Sequence, residues 1–252
     1  KMNFKKESQF NKENKEGEIE ILKQEIKKLR KENQAKDARI TELIEQIKTM
    51  GIDNLTGLEN RRDHFLNEVS KIFHFKKAGL EEKNAFQERK EGFKHASIIF
   101  CDIDNFKSFN DKFGHKTGDL ILRRISETLS ENLRINDRIC RWGGEEIVIA
   151  LMGDDMEESK KVAERLRQAA NNLTAQFKKE YRRHPDINEA AISLSLGLSV
   201  LSADKKLDLS IDEADAAMYV AKKSGGKNCV KVFSELDEKE RQMAENFLLR
   251  RD

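Results

Sequence analysis

With 252 residues, 48 basic and 46 acidic side chains and a formal charge of +2, the chain has room for one or two domains and lacks the basic excess of a dedicated nucleic-acid surface. Charged residues make up 37% of it, against about 25% in an average globular domain, so part of it must be heavily solvated. No apolar run reaches the roughly 20 residues of a membrane span, no signal-peptide pattern opens the chain, and Cys101, Cys140 and Cys229 lack disulfide or metal spacing; a cytoplasmic chain without direct membrane contact is expected, whatever anchors a longer parent protein.

Residues 1–17 are polar, keep no repeat and are expected to fray. From Glu18 to Met50 there is no proline or glycine, and apolar residues recur every seven positions. Ile19, Ile26, Asn33, Ile40 and Ile47 share one heptad position, and Leu22, Leu29, Lys36, Leu43 and Met50 share its partner. Isoleucine at the first and leucine at the second favour two parallel strands, and a single asparagine in the seam fixes register. The pattern therefore predicts a parallel dimeric coiled coil over 18–51, weakest near Asn33 and Lys36, where Glu32 also faces Asp37.

Gly51 ends that helix, and one α/β domain is expected over 52–233. Helical patterns cover about 61–75, 119–132, 157–179 and 211–223; strand-like runs cover 96–102, 138–142, 146–151, 191–200 and 230–233. This interleaving predicts a sheet that mixes parallel and antiparallel pairs. The Lys- and Glu-rich segment 76–94 reads as a surface insertion. Ser234 and Asp237 resemble helix caps and open a helical tail over 234–252.

Two places carry candidate chemistry. The apolar run ASIIFCDID at 96–104 ends in Asp102 and Asp104, and positions i and i+2 of a strand face the same way. Magnesium is held by one or two carboxylates plus substrate phosphates, so the pair suits metal; a helix N-cap is the alternative. In RWGGEEIVIA at 141–150, Gly143 and Gly144 join two apolar runs with the composition of a hairpin turn, followed by Glu145 and Glu146. That pair reads either as solvated turn residues or as part of a site.

Together the segments DNLTGLENRR, DIDNFKSFNDKFGHKTGD, RWGGEE, ISLSLG and DAAMYVAKKSGGKN, within a stretch from about Asp53 to Phe233, resemble the GGDEF family of bacterial diguanylate cyclases. The resemblance implies a palm-like nucleotidyl cyclase domain with a central mixed five-stranded sheet flanked by helices, preceded by the coiled coil. It implies fusion of two GTP into cyclic di-GMP, with two Mg²⁺ (or Mn²⁺) per site. Metal would be held by Asp102, the Ile103 carbonyl and Glu145, with Asp104 and Glu146 in the same acidic cluster and Glu146 available to activate the hydroxyl. Guanine would be read by Asn110 and Asp119, and phosphates by Lys107, the backbone of Asn105 and Phe106, Lys222 and Lys227, while Gly143 and Gly144 let backbone approach the nucleotide. The run AKKSGGKN has one residue more than the family pattern, Gly226, and Ile147 replaces its usual aromatic.

The same resemblance reads Arg134 and Asp137 of RIND as a product-inhibition site, with Arg165 as an added contact. It also implies a homodimer, since one domain binds one GTP, and an upstream sensor domain in the full-length protein. The alternative is a catalytically silent receptor for GTP or cyclic di-GMP.

Overall fold

The computed structural model describes residues 51–60, 62–74, 96–153, 155–202 and 205–250, with scattered positions between 25 and 41. The chain divides into two compact units, Lys1–Met50 and Gly51–Asp252. In the first, the described positions are helical and exposed, Leu29 and Ile40 among them at 53% each. Most of the predicted seam, including Leu22, Leu43 and Ile47, lies outside the described residues, as does the 76–94 segment.

In the second unit a five-stranded sheet runs in the order β2-β3-β1-β4-β5. Its strands are β1 (Ala96–Ile103), β2 (Arg138–Gly143), β3 (Glu146–Met152), β4 (Leu194–Leu201) and β5 (Val230–Val232). The central strand β1 pairs antiparallel with β3 and β4, β2 pairs antiparallel with β3, and β5 joins β4 in parallel. All eight residues of β1 are buried, which is why its sequence reads as a nearly unbroken apolar run.

Alternation along β1 feeds two cores. Ile99, Cys101 and Ile103 face α3 (His115–Glu131) and α4 (Met156–Glu180), packing with Ile121, Ile125, Leu166 and Phe177. Ile98 and Phe100 face α1 (Arg62–His74) and α5 (Leu207–Lys223), packing with Phe65, Val69, Ala214 and Met218. Helix α5 lies very close to the sheet: a Cβ on Gly197 of β4 would stand 1.9 Å from the Ala214 carbonyl oxygen and 2.2 Å from the Met218 nitrogen. The missing side chain sets that spacing.

Three local differences from the sequence reading have physical causes. A short helix, α2 (Phe106–Phe113), precedes α3 and is separated from it by Gly114 at φ 84°, a left-handed angle that breaks what would otherwise be one helix. Strand β4 starts at Leu194 rather than Ala191, because Thr174 Oγ1 donates to the Ile192 carbonyl at 3.1 Å and accepts from its N–H at 2.9 Å. The tail helix α6 is Glu238–Leu248, started by a capping box in which Asp237 accepts from Glu240 N at 2.9 Å. It packs on the outer side of α5 through Val220, Leu236 and Ala244, with Tyr219 stacked on Phe247 at 4.5 Å.

Candidate active site

The end of β1 collects the acids. Asp102 lies opposite Glu146 in the β1–β3 register, and Gly144–Glu145 forms the turn between β2 and β3, with Gly144 at φ 49°. Asp102 is 6% exposed. Burial pushes its pKa up to about 6, Lys222 opposes the rise, and the nearby charges of Glu145 and Glu146 add to it. Lys222 Nζ stands 2.6 Å from Asp102 Oδ1. That ammonium is the cationic partner of a buried oxygen that has no other donor. Lys222 reaches it from the last turn of α5, one helical turn after Met218 and its contact with Gly197.

A buried carboxylate short of donors and crowded by two others is suited to a hard divalent cation. Among the described residues no three Asp, Glu, His or Cys side chains converge into a complete cage. Asp102 and Glu145 would therefore need the Ile103 carbonyl and substrate oxygens to fill the remaining positions, the open arrangement usual for magnesium.

Asp104 departs from the expected acidic cluster. Its carboxylate accepts from Ser195 Oγ at 2.6 Å, Ser193 Oγ at 2.7 Å and Asn228 N at 2.9 Å, and it is 3% exposed. Those donors satisfy its charge, so it fastens the loop after α5 to the end of β1 and is not left for metal.

Asn105 follows in the left-handed region at φ 56° and offers no side-chain cap to α2. The first backbone N–H groups of that helix, at Phe106 and Lys107, are thus uncapped, an arrangement that favours anions. Lys107 is exposed, and Lys227 Nζ donates to Asn105 Oδ1. The extra residue of the lysine loop is absorbed by three consecutive left-handed residues, Gly226 at φ 75°, Lys227 at 68° and Asn228 at 48°.

On the other side of α2, a Cβ on Gly118 would stand 1.7 Å from Asn110 Oδ1. Gly118 makes room for that carboxamide, and the next residue, Asp119, is exposed beside it; Asn110 Oδ1 is buried without a hydrogen-bond partner. Helix propensity argues against glycine here by about 1 kcal/mol, and the contact with Asn110 explains its presence.

The hairpin is held from behind by the segment that enters the domain. Arg141 binds Asp53 with Nη1 at 2.8 and 2.9 Å and the Gly144 carbonyl with Nε and Nη2 at 3.0 and 2.8 Å. Its backbone N–H donates to Glu59 O at 2.7 Å, which also covers the free edge of β2. Arg62 donates to the Trp142 carbonyl at 2.9 Å and lies 4.4 Å from its ring centre. Sequence reading missed this clamp, although the paired DNLT and RW segments carry both halves of it. Ile147, the departure from the family pattern, is fully buried in the core.

Arg134 and Asp137 lie in the turn between α3 and β2. Asp137 accepts from Arg134 N at 2.8 Å and Met152 N at 3.0 Å. Arg165 of α4 donates to Asn132 O at 2.8 Å, two residues before Arg134 in the segment that carries Asp137, and Ile135 of that segment is 88% exposed.

The profile of the family described as "Diguanylate cyclase, GGDEF domain" matches residues 50–228. The chain is 32% identical over 190 residues to diguanylate cyclase DosC of Escherichia coli K12, covering 74% of this chain and 36% of that protein. It is 32% identical over 180 residues to diguanylate cyclase DgcS of Shewanella oneidensis, covering 71% of this chain and 52% of that one. The chain thus spans a third to a half of these relatives. Among solved structures, the coiled coil and GGDEF domain of DgcB from Caulobacter crescentus in complex with c-di-GMP superposes with a TM-score of 0.60 at 25% identity, covering 80% of this chain and 95% of that one. The active GGEEF domain of a Vibrio cholerae diguanylate cyclase gives 0.52 at 25%, covering 69% and 97%. The matched motifs, the mixed five-stranded sheet and the acid-rich hairpin at its central strand agree: this chain belongs to the GGDEF diguanylate cyclase family.

Proposed function

We propose that the chain condenses two GTP into cyclic di-GMP, releasing two pyrophosphates, and that Asp102 is the centre of the site. The buried, donor-poor Asp102 carboxylate beside Glu145 and Glu146 is the observation that carries this reading. In each of two steps the 3′-oxygen of one GTP bonds to the α-phosphorus of the other, and the bond from that phosphorus to the β-bridging oxygen breaks. Asn110 and Asp119 hold the guanine edge, whose donors and acceptors match a carboxamide and a carboxylate. Lys107, the uncapped start of α2, Lys222 and Lys227 take the phosphates. Glu146 receives the proton of the attacking hydroxyl. Asp102, the Ile103 carbonyl and Glu145 would hold two Mg²⁺ or Mn²⁺, whose charge, when bound, would offset that of the phosphates and the attacking oxygen.

Because one domain holds one GTP, the reaction needs two domains face to face. The 18–51 heptads supply a parallel dimer, and a sensor domain in the longer protein adjusts it. Cyclic di-GMP binds at Arg134, Asp137 and Arg165, where a guanidinium fork and a carboxylate match guanine and phosphate, and feeds back on the enzyme in the cytoplasm. Among the described residues no helix is long and apolar enough to cross a membrane.

Purified chain with GTP and Mg²⁺ should yield cyclic dinucleotide, and Glu145→Ala should yield none; a wild type that binds GTP without turnover would instead favour the silent receptor. Arg134→Ala should keep turnover and lose inhibition by added product, and product inhibition equal to wild type would remove the regulatory part of the proposal.

A further inference from the structure

Helix α6 lies beyond residue 228, where the family match ends, yet one of its side chains holds the lysine loop. Glu240 is largely buried, its side chain 13% exposed. Its Oε1 accepts from Ser224 Oγ at 2.9 Å and from Lys231 Nζ at 2.6 Å. Ser224 ends α5, and Lys231 belongs to β5. The loop between them is Gly225 to Cys229, so a single carboxylate ties together both of its ends.

That loop needs outside support. Lys227 and Asn228 are non-glycine residues in left-handed conformation, each costing about 1 kcal/mol or more, and two glycines precede them. Asn228 is fixed by Asp104 at its N–H and by Arg167, whose Nη1 donates to Asn228 Oδ1 at 2.6 Å. The entry to the loop is held by backbone bonds to the end of α5, from Gly225 N to Val220 O at 3.3 Å and from Lys227 N to Ala221 O at 3.1 Å, and Glu240 is, among the described residues, its one fastening from outside α5. Lys222, by contrast, stands on the regular backbone of α5 and does not depend on the loop. We propose that Glu240 is a positioning residue for Lys227: by fixing Ser224 and Lys231 it keeps the loop in the one conformation that places the Lys227 ammonium beside Asn105 and the start of α2. This rests on the reading that Lys227 contacts nucleotide phosphate.

The test is calorimetric binding of a non-hydrolysable GTP analogue with Mg²⁺ to the full chain. Glu240→Ala should weaken binding about fivefold, the loss coming from a loop that must be ordered on binding. Ser224→Ala, which removes one of the two contacts, should weaken it about twofold with an unchanged melting temperature. Glu240→Gln, which can still accept from Ser224, should restore much of the affinity. Lys227→Ala combined with Glu240→Ala should bind no more weakly than Lys227→Ala alone, a result that general loosening of the fold would not give. Equal binding by wild type and Glu240→Ala, or additive losses in the double variant, overturns the inference and leaves the function standing. A wild type that binds no analogue overturns the nucleotide reading and the inference with it.

Discussion

Two carboxylates behind the same hairpin have opposite surroundings. Asp53, in the entering segment, is buried in a way that would raise its pKa, but hydrogen bonds from Thr56 Oγ1 and N and from Arg141 outweigh this and hold it below the usual carboxylate range. Asp102, at the end of β1, has burial on the same side of the balance and only Lys222 against it, and is driven up to about 6. The first charge is satisfied by the protein and stabilises it. The second has a single cationic partner, Lys222, which does not offset the cost of its burial, and this separates an acid used for architecture from one held ready for a ligand.

The sharpest way to break this contrast is Asp102→Asn. Cyclase rate should fall at least about a hundredfold, since a charge that acts on the reacting phosphates is lost. The metal-free variant should nonetheless melt at a higher temperature than metal-free wild type, because the cost of burying a charged carboxylate, the largest cause of its raised pKa, is relieved at neutral pH. A lower melting temperature would place Asp102 with Asp53. Next in size, Asp53→Asn should cost about 1–3 kcal/mol, read as a lower denaturant midpoint, because Arg141 and Thr56 lose a charged acceptor. Asp104→Asn should cost about 1 kcal/mol, since the Asn228 N–H then meets an amide that offers one acceptor in place of two. The smallest effect is in pH dependence, and its sign differs between the two acids. Asp102 has a folded pKa above its unfolded value of 3.8, so the metal-free protein should lose stability as pH rises from about 4 through 6, and Asp102→Asn should remove that slope. Asp53 has a lowered folded pKa, so its contribution should persist at neutral pH and disappear only as pH falls below the ordinary carboxylate range; a denaturation series from acid to neutral reads both.

Strand β1 and the hairpin were legible because each is encoded locally, by an apolar run ending in acids and by two glycines between apolar segments. The fate of Asp104 was not. Its partners Ser193, Ser195 and Asn228 lie 89 to 124 residues further on, and nothing in DID distinguishes the satisfied acid from the starved one. Helix α2 escaped notice because its eight residues carry an asparagine and an aspartate in the middle, which weaken a pattern already short. Gly197 and Gly118 were visible as letters, and only the packing of α5 and the Asn110 carboxamide against them showed what their missing side chains are for. The role of the tail depended on Glu240 meeting Ser224 and Lys231, contacts that span a helix end and a sheet edge.

The chain has a single tryptophan, and it stands in the hairpin itself, at the irregular step between Arg141 and Gly143. Phe65 and Phe100 meet it edge-on at 6.4 and 6.2 Å, and the Arg62 guanidinium covers its face. Light absorbed by indole alone therefore gives emission from one spot, a few residues from Glu145. Titrating any ligand while watching that emission reports on the turn between β2 and β3 in the unlabelled wild-type molecule, with no dye and no engineered probe.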